Sequence, residues 1–317
     1  MAVMSRRPLV SVVTPCYNEA DNIREQFRRV RAALAPFAGD YDFEHIYTDN
    51  LSEDGTWEVL KALGAEHPQV RALRFSRNIG ANRAIILGLS QAKGDAVVLI
   101  QADLQDPPEL IGDFLRGWRE GFDVVYGRIK GREEGALGSA LRRLYYKVVA
   151  GMAEVEVPRD AGEFRLTSRR ALDAVLQYGE DDLYLRGTVA HVGFPQKAVP
   201  YERAARAGGR SSMTFLGLVS YALNGLLSTT VVPIRMVVVS GLLLAVLGFL
   251  LTAGLAASKF LLPGVAPRGI TMLATLVTFF AGAQLLAIGI IGEYIRKIYV
   301  QSLRMPRGHI QDRVNLP

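Results

Sequence analysis

The feature that most constrains this chain is a pair of long uncharged segments in its last third. Residues 236–257 and 270–291 each run for 22 positions without Asp, Glu, Lys or Arg. As an α-helix, such a segment measures about 33 Å and spans a hydrocarbon core of about 30 Å. The residues between them, 258–269, contain two prolines and two glycines, which favour a turn. The pattern predicts two antiparallel transmembrane helices.

Basic residues flank this pair on both sides. Four precede it and five follow it, whereas the intervening loop has two. The positive-inside rule therefore predicts that both flanks, and with them both chain termini, are cytoplasmic. The alternative of two helices buried in a soluble core stays open, but it requires a large apolar partner elsewhere, and the first 200 residues look self-sufficient.

Two further observations bear on compartment and partners. The single cysteine, Cys16, excludes an internal disulfide and fits a reducing compartment, and the apolar stretch at residues 9–13 is too short for a secretory signal. A formal net charge of +6 on 317 residues is weak support for nucleic-acid binding. We therefore expect no nucleic-acid partner.

The first 200 residues alternate short β-rich runs with amphipathic helical patterns. This alternation predicts an α/β fold with a mostly parallel, Rossmann-like sheet covered by helices on both faces. Ligands of such sheets bind at the carboxyl ends of the strands. The candidate strands are residues 9–14, 43–48, 70–75, 96–100 and 124–126.

These patterns divide the chain into four parts. We expect a cytoplasmic α/β domain at residues 1–210, a two-helix transmembrane hairpin at 231–292 and a basic cytoplasmic tail at 293–317. Residues 213–230 are apolar, rich in Ser, Thr and Asn, and uncharged, which favours an interfacial helix at 211–230. Packing of that helix beneath the α/β domain is an equally good alternative.

Polar residues follow the candidate strands at the edge where a ligand is expected. Asp103 and Gln105 come after the fourth strand and offer the oxygen ligands that Mg²⁺ prefers. Asp106 precedes Pro107 and Pro108 and is well placed to cap the helix that they begin. Taken alone, the segment 49–56 is better explained as a strand-to-helix loop with Ser52 or Asp54 as the helix cap. The segment 15–19 is likewise explained as a turn in which Asn18 caps the next helix.

In their joint order these segments resemble the inverting GT-A glycosyltransferases of family 2. The resemblance is greatest to the branch that moves a sugar from a nucleotide onto polyprenyl phosphate, and the paired spans match the bactoprenol enzymes. The matching blocks are V-V-T-P-C-Y-N-E at 12–19, S-R-N-I-G at 76–80, A-D-L-Q-D-P-P-E at 102–109, G-E-F-R-L at 162–166 and Y-E-R-A-A-R at 201–206.

The resemblance implies a metal-dependent enzyme of the inner membrane whose acceptor is undecaprenyl phosphate and whose donor is a nucleotide sugar, with UDP favoured. Mg²⁺ or Mn²⁺ is expected at Asp103 and Gln105, and a homotetramer is possible because relatives with this hairpin can form one. The implied donor residues are Pro15, Tyr17, Glu19, Asp49, Asn78, Asp103, Arg203 and Arg206. The implied acceptor-phosphate residues are Arg128, Arg132, Arg143 and Arg165, and the implied catalytic residues are Asp103, Arg128, Glu163 and Arg165.

The chain also departs from the family pattern. Gln101 and Asn50 stand where Asp is usual, Ala81 and Ser212 where Lys is usual, and Glu163 where Asp is usual. An amide oxygen still binds a cation but carries no charge, so these changes bear on metal affinity, on the sugar and on the assignment of a catalytic carboxylate. An inactive member of the family is one reading that they leave open.

Two other functions stay open at this stage. A processive polysaccharide synthase would share the amino-terminal blocks, but it would carry a Q/R-x-x-R-W element and more spans. A noncatalytic membrane scaffold would keep the hydrophobic hairpin without a reason to keep phosphate- and metal-binding groups at four strand ends. Release of a nucleoside diphosphate separates either enzyme from the scaffold.

Overall fold

The computed structural model describes residues 6–130, 161–178, 185–203, 237–244, 246–248, 250, 269–303, 306 and 308–316. The chain forms two compact units. One comprises Met1–Ser220 together with Pro306–Pro317, and the other comprises Tyr221–Met305.

Strands and helices alternate through most of the first unit. The strands are β1 Leu9–Cys16, β2 Asp42–Asp49, β3 Val70–Phe75, β4 Ala96–Leu99, β5 Val124–Ile129, β6 Ala161–Ser168, β7 Gln196–Tyr201 and β8 Ile310–Val314. The helices are α1 Ala20–Leu34, α2 Thr56–Glu66, α3 Ala81–Gln91, α4 Ile111–Arg119, α5 Arg169–Leu176 and α6 Leu185–His191. All five strands expected from the sequence are present, with small shifts at their ends.

The eight strands form one sheet in the order β7-β5-β6-β4-β1-β2-β3-β8. Four of the seven neighbouring pairs are parallel, and the three antiparallel pairs involve β6 and β8. The mostly parallel α/β sheet predicted from the sequence is therefore confirmed. Antiparallel β6 inserts between β4 and β5, which local alternation of strand and helix does not reveal.

Alternating side chains of β1 show why both faces of the sheet are covered. Val13 packs with helices α3, α5 and α6 in one apolar cluster. Val10 and Val12 pack with α1 and α4 in another cluster on the opposite face. Successive side chains of a strand point to opposite faces, so the largely apolar run Leu9–Val13, with a buried Ser11 in its middle, is typical of a strand buried on both sides.

The register of the parallel strands places their carboxyl ends at a common edge. Cys16 of β1 is paired with Asp49 of β2, and Val13 of β1 with Leu99 of β4. The loops after β1, β2 and β4 therefore emerge side by side. The polar segments that the sequence predicts to bind a ligand lie at this edge.

The last described strand, β8, lies at the edge of the sheet beside β3. It runs antiparallel, with Ala72 opposite Val314 and Arg74 opposite Asp312. The Asn315 side chain donates hydrogen bonds of 2.8 Å to the carbonyl oxygens of Gly64 and Val70. The segment expected to be a basic tail thus ends as a strand of the first unit.

The second unit contains two described apolar helices, α7 Val237–Gly248 and α8 Gly269–Ser302. Among the described residues, only Phe279–Ser302 within α8 is long and apolar enough to cross a membrane, and none of its apolar window is buried in the protein. The second predicted span, 270–291, lies inside α8, and the predicted boundary at 293 falls within that helix. Residues 251–268 and the predicted interfacial helix at 211–230 lie outside the described residues.

Candidate functional site

An open cleft lies at the shared strand edge. Its lining includes four residues predicted to bind the donor, Pro15, Tyr17, Glu19 and Asp103, and three positions of departure from the family pattern, Asn50, Ala81 and Gln101. Tyr17 is 41% exposed at this cleft, which leaves its ring accessible for stacking. The structure thus brings together segments that are up to 88 positions apart, from Pro15 to Asp103.

Hydrogen bonds between the loops after β1 and β2 shape one side of the cleft. The backbone N–H of Asn18 donates to Ser52 Oγ, and that of Glu19 donates to Thr56 Oγ1, both at 2.9 Å. In return, the N–H of Glu53 donates to Asn18 Oδ1 at 2.9 Å. The alternative in which Asn18 caps the following helix does not hold, because Glu19 is at the cap position and no side chain caps that helix.

Asp49 is fully buried at the carboxyl end of β2, directly before Asn50, which lines the cleft. One carboxylate oxygen accepts a 3.0 Å hydrogen bond from the N–H of Ser52, whereas Oδ2 lies 3.5 Å from Arg74 Nε. That distance makes no hydrogen bond, so Oδ2 is a buried acceptor without a hydrogen-bond partner among the described residues. Burial raises the pKa of Asp49, and the hydrogen bonds from Ser52 and the charge of Arg74 oppose this rise.

The hydrogen bonds of Asn50 explain why this chain has Asn at a position where the family usually has Asp. Its Nδ2 donates to Asn78 Oδ1 at 2.9 Å, and its Oδ1 accepts from the N–H of Ile79 at 2.9 Å. Asn78 Oδ1 also accepts from the N–H of Gly80 at 3.0 Å. A carboxylate at position 50 could not donate to Asn78 Oδ1. Asn78, predicted to bind the donor, therefore contributes its amide oxygen to the loop.

Asp103 is the acidic residue of the predicted metal pair, and little of it is exposed. Its Oδ1 accepts from the N–H of Gln105 at 3.2 Å, and its Oδ2 lies 4.0 Å from Arg203 Nη2. Among the described residues, no group of three or more His, Cys, Asp and Glu could hold a metal ion. A cation here would take one carboxylate and one amide from the protein and its other ligands from water and phosphate, as Mg²⁺ commonly does.

Asp106 does not cap a helix, so that prediction is wrong. The short 3₁₀ turn Pro108–Leu110 has Pro107 at its cap position and no side-chain cap. The buried Asp106 instead accepts hydrogen bonds from the Tyr201 hydroxyl at 2.5 Å and from Arg203 Nε at 3.1 Å. Burial raises the pKa of Asp106, and Arg203 and Tyr201 oppose the rise.

A second charged group lies on β6 and α6. Glu163 Oε1 accepts from Arg186 Nε at 2.5 Å, and Glu163 Oε2 lies 3.5 Å from Arg165 Nη2. Arg165 also donates to the carbonyl oxygens of Gly162 and Glu163 and is 4% exposed. Burial would raise the pKa of Glu163, but the charges of Arg165 and Arg186 outweigh it and lower the pKa.

Four predicted site residues remain, and the structure describes one of them. Arg128 is exposed near the end of β5. Arg132, Arg143 and Arg206 lie outside the described residues. Sequence reasoning missed Arg74, Arg186, Tyr201 and the role of Asp106. Only Tyr201 and Asp106 had a signal, because both lie in blocks that match the family.

Comparison with known proteins identifies similar chains. A family model described as "Glycosyl transferase family 2" matches residues 11–176. The chain is 32% identical to a putative glycosyltransferase CsbB of Bacillus subtilis over 98% of its length and 94% of that protein. It is 33% identical to a bactoprenol glucosyl transferase of Shigella phage SfV over 94% of its length and 96% of that protein.

A solved structure, the mannosyltransferase PcManGT from Pyrobaculum calidifontis in complex with GDP-Man and Mn²⁺, is similar at a TM-score of 0.46 and 19% identity. That similarity covers 90% of this chain and 88% of the other.

Proposed function

The chain belongs to glycosyl transferase family 2, and on this premise we propose that it transfers a hexose-type sugar from a nucleotide sugar, preferably a UDP-sugar, to polyprenyl phosphate with inversion. The observation that carries the proposal is the strand-edge cleft, where Tyr17 and Glu19 share one lining with Asp103. The near full-length similarity to a bactoprenol glucosyl transferase supports the polyprenyl acceptor.

The nucleotide is proposed to bind over the ends of β1 and β2. An ionised Asp49 can only accept hydrogen bonds, and its buried Oδ2 has no hydrogen-bond partner among the described residues. An N–H of the base would supply the missing donor. Pro15, Tyr17 and Glu19 line the same cleft, and Arg206 is proposed to join Arg203 at the diphosphate.

Asp103 and Gln105 fit a Mg²⁺ or Mn²⁺ ion that is held mainly by the donor. One carboxylate and one amide oxygen are a sparse protein contribution, which suits a cation whose other ligands are water and diphosphate oxygens. When bound, the ion would neutralise charge on the departing nucleoside diphosphate. Gln101 lines the cleft without adding a charge, so the cation depends on Asp103 for its only charged ligand from this loop.

The acceptor needs no general base. A phosphate monoester has a second pKa of about 6 and is largely a dianion at pH 7. Its oxygen would attack the anomeric carbon as the bond from that carbon to the nucleoside diphosphate breaks on the opposite side. Arg128, Arg132, Arg143 and Arg165 are proposed to orient the acceptor phosphate, since a guanidinium binds phosphate bidentately and stays charged.

The half-buried, ionised Glu163 is proposed to assist by holding Arg165 in place. Arg165 is enclosed by its own strand and by Glu163, so its contact with the acceptor would be made from a fixed position. Preorganised charges of this kind act on the transition state without rearrangement.

Membrane attachment follows from the acceptor. Withdrawing a polyprenyl tail from the bilayer costs about 0.8 kcal/mol per CH₂, so the active site must come to the interface. We propose that α8 and a span containing α7 form the transmembrane hairpin at 231–292, with the domain at 1–210 and the tail at 293–317 cytoplasmic. The segment 211–230 would lie in the interface of the inner membrane.

The test is glycolipid synthesis by membranes that contain the full-length protein. A panel of nucleotide sugars is incubated with Mg²⁺ or Mn²⁺ and undecaprenyl phosphate, and lipid products are identified by mass spectrometry. Asp103→Ala should lower turnover by about 100-fold or more, whereas Asp113→Ala, on the exposed side of α4, should not. Full activity of Asp103→Ala would refute its metal role, and a polysaccharide product would favour the processive synthase.

A further inference from the structure

Asp106 and Arg203 form a contact that the proposed donor site does not yet explain. We infer that Asp106 is a positioning residue that holds Arg203 beside Asp103, so that the guanidinium is already in place for the donor diphosphate. This inference rests on the proposed function and extends it to a residue that does not itself touch the donor.

The geometry around Arg203 supports this assignment. Its Nε donates to Asp106 Oδ1 at 3.1 Å, and its Nη2 lies 4.0 Å from Asp103 Oδ2. One carboxylate therefore holds the inner nitrogen while an outer nitrogen is directed toward the predicted metal ligand. About a third of the Arg203 side chain is exposed, whereas Asp106 is 3% exposed. The buried partner is the anchor and the exposed one can reach a ligand.

Tyr201 holds Asp106 in turn. Its hydroxyl donates to the same Asp106 oxygen at 2.5 Å. The Tyr201 ring lies edge-on to Phe164, with ring centroids 6.4 Å apart. A Cβ on Gly127 would come within 2.7 Å of the ring, and one on Gly162 within 3.3 Å of the hydroxyl. Residues from β5, β6 and β7 thus form a rigid support beneath the Asp106 carboxylate.

The contact between Asp106 and Arg203 also has a role before the donor binds. A buried carboxylate without a partner is costly, and Arg203 supplies the compensating charge. Arginine also loses considerable freedom when it binds a ligand, and a guanidinium that is already ordered loses less. The bond to Asp106 occupies Nε and leaves Nη donors available for diphosphate oxygens. Loss of Asp106 should therefore weaken donor binding through Arg203.

The experiment measures binding of UDP to the full-length protein in detergent by isothermal titration calorimetry, with and without Mn²⁺. Asp106→Asn keeps the acceptor oxygen but removes the charge, and Arg203→Met removes the guanidinium. We expect each to weaken UDP binding by about 10-fold, as for a hydrogen bond to a charged group. The double variant should bind no more weakly than Arg203→Met, because both changes remove one interaction.

Two further variants separate positioning from a merely structural role. Asp113→Asn changes an acidic residue that pairs with Arg116 on the exposed side of α4, and it should bind UDP like the parent protein. Arg203→Lys keeps the positive charge but cannot donate from an Nε held in a fixed fork, and it should lose affinity like Arg203→Met. In turnover assays, Asp106→Asn should raise the donor KM and leave the acceptor KM unchanged.

The outcomes are distinct. Three results would each overturn the inference and leave the proposed function standing. Asp106→Asn could bind UDP as tightly as the parent protein, or Arg203→Lys could do so. The double variant could also lose UDP affinity by the product of the two single losses. Failure of the parent protein to bind any nucleoside diphosphate would overturn both. The Arg203→Lys test does not depend on Asp106→Asn folding, because Arg203 is the exposed partner.

Discussion

A pH-dependent loss of stability is expected from His45, which is buried on β2. Its Nε2 lies 2.9 Å from Thr14 Oγ1, and its ring stacks on Tyr47 with centroids 4.2 Å apart. Its Nδ1 has no hydrogen-bond partner among the described residues. Burial lowers the pKa of His45 to about 3, so the folded protein keeps this imidazole neutral.

The size of the effect follows from proton linkage. In the unfolded chain the imidazole has a pKa of about 6.5, so below that pH the unfolded state binds one more proton than the folded state. Stability from this group is complete above pH 6.5, falls by about 1.4 kcal/mol per pH unit below it, and stops falling near the folded pKa. Between pH 7 and pH 5 the loss is about 2 kcal/mol.

The assay compares thermal unfolding of the purified full-length protein at pH 7 and pH 5. For a domain of this size, 2 kcal/mol corresponds to about 4 to 8 °C in Tm. His45→Gln cannot take up the proton. Between pH 7 and pH 5 its Tm should therefore fall by about 4 to 8 °C less than the Tm of the parent protein. The exposed His309 is the matched control, and His309→Gln should behave like the parent protein. Equal pH dependence of the parent and His45→Gln would refute the reasoning.

Three further outcomes are expected. Asn315→Ala removes two hydrogen bonds that tie the end of β8 to Gly64 and Val70, and thermal unfolding should show a loss of about 1–3 kcal/mol. Asn50→Asp removes the donor to Asn78 Oδ1 and should raise the Kd for UDP, measured by calorimetry, by about 10-fold. Arg186→Met removes one of the two charges that lower the pKa of Glu163, so the acidic limb of the pH–rate profile should move to higher pH.

Controls and contrary results differ among these three. Asp312→Ala, on an exposed position of β8, should leave Tm nearly unchanged, and an equal loss in both variants would contradict the role of Asn315. Unchanged UDP affinity in Asn50→Asp would show that the departure from the family pattern is neutral. An acidic limb that stays in place in Arg186→Met would remove Glu163 from the set of groups that must be ionised for turnover.

The sequence by itself determined the parts of the protein that local patterns encode. A largely apolar run indicates a strand such as Leu9–Val13, and polar segments such as 102–109 mark the strand ends where ligands bind. Two uncharged segments predict the membrane part by length alone. The ordered blocks carried the family, which the comparisons confirm.

Only the tertiary structure decided which of these polar residues work together. Asp106 has the local sequence pattern of a helix cap, yet its partners lie 95 and 97 positions away: Tyr201 at the end of β7 and Arg203 just after that strand. Asn315 reaches back 251 positions to Gly64. The physical reason is that the spacing of apolar residues along the sequence indicates which face of a helix or strand each residue occupies. The partner of a buried charge or of an edge strand depends instead on how distant segments meet in the folded sheet.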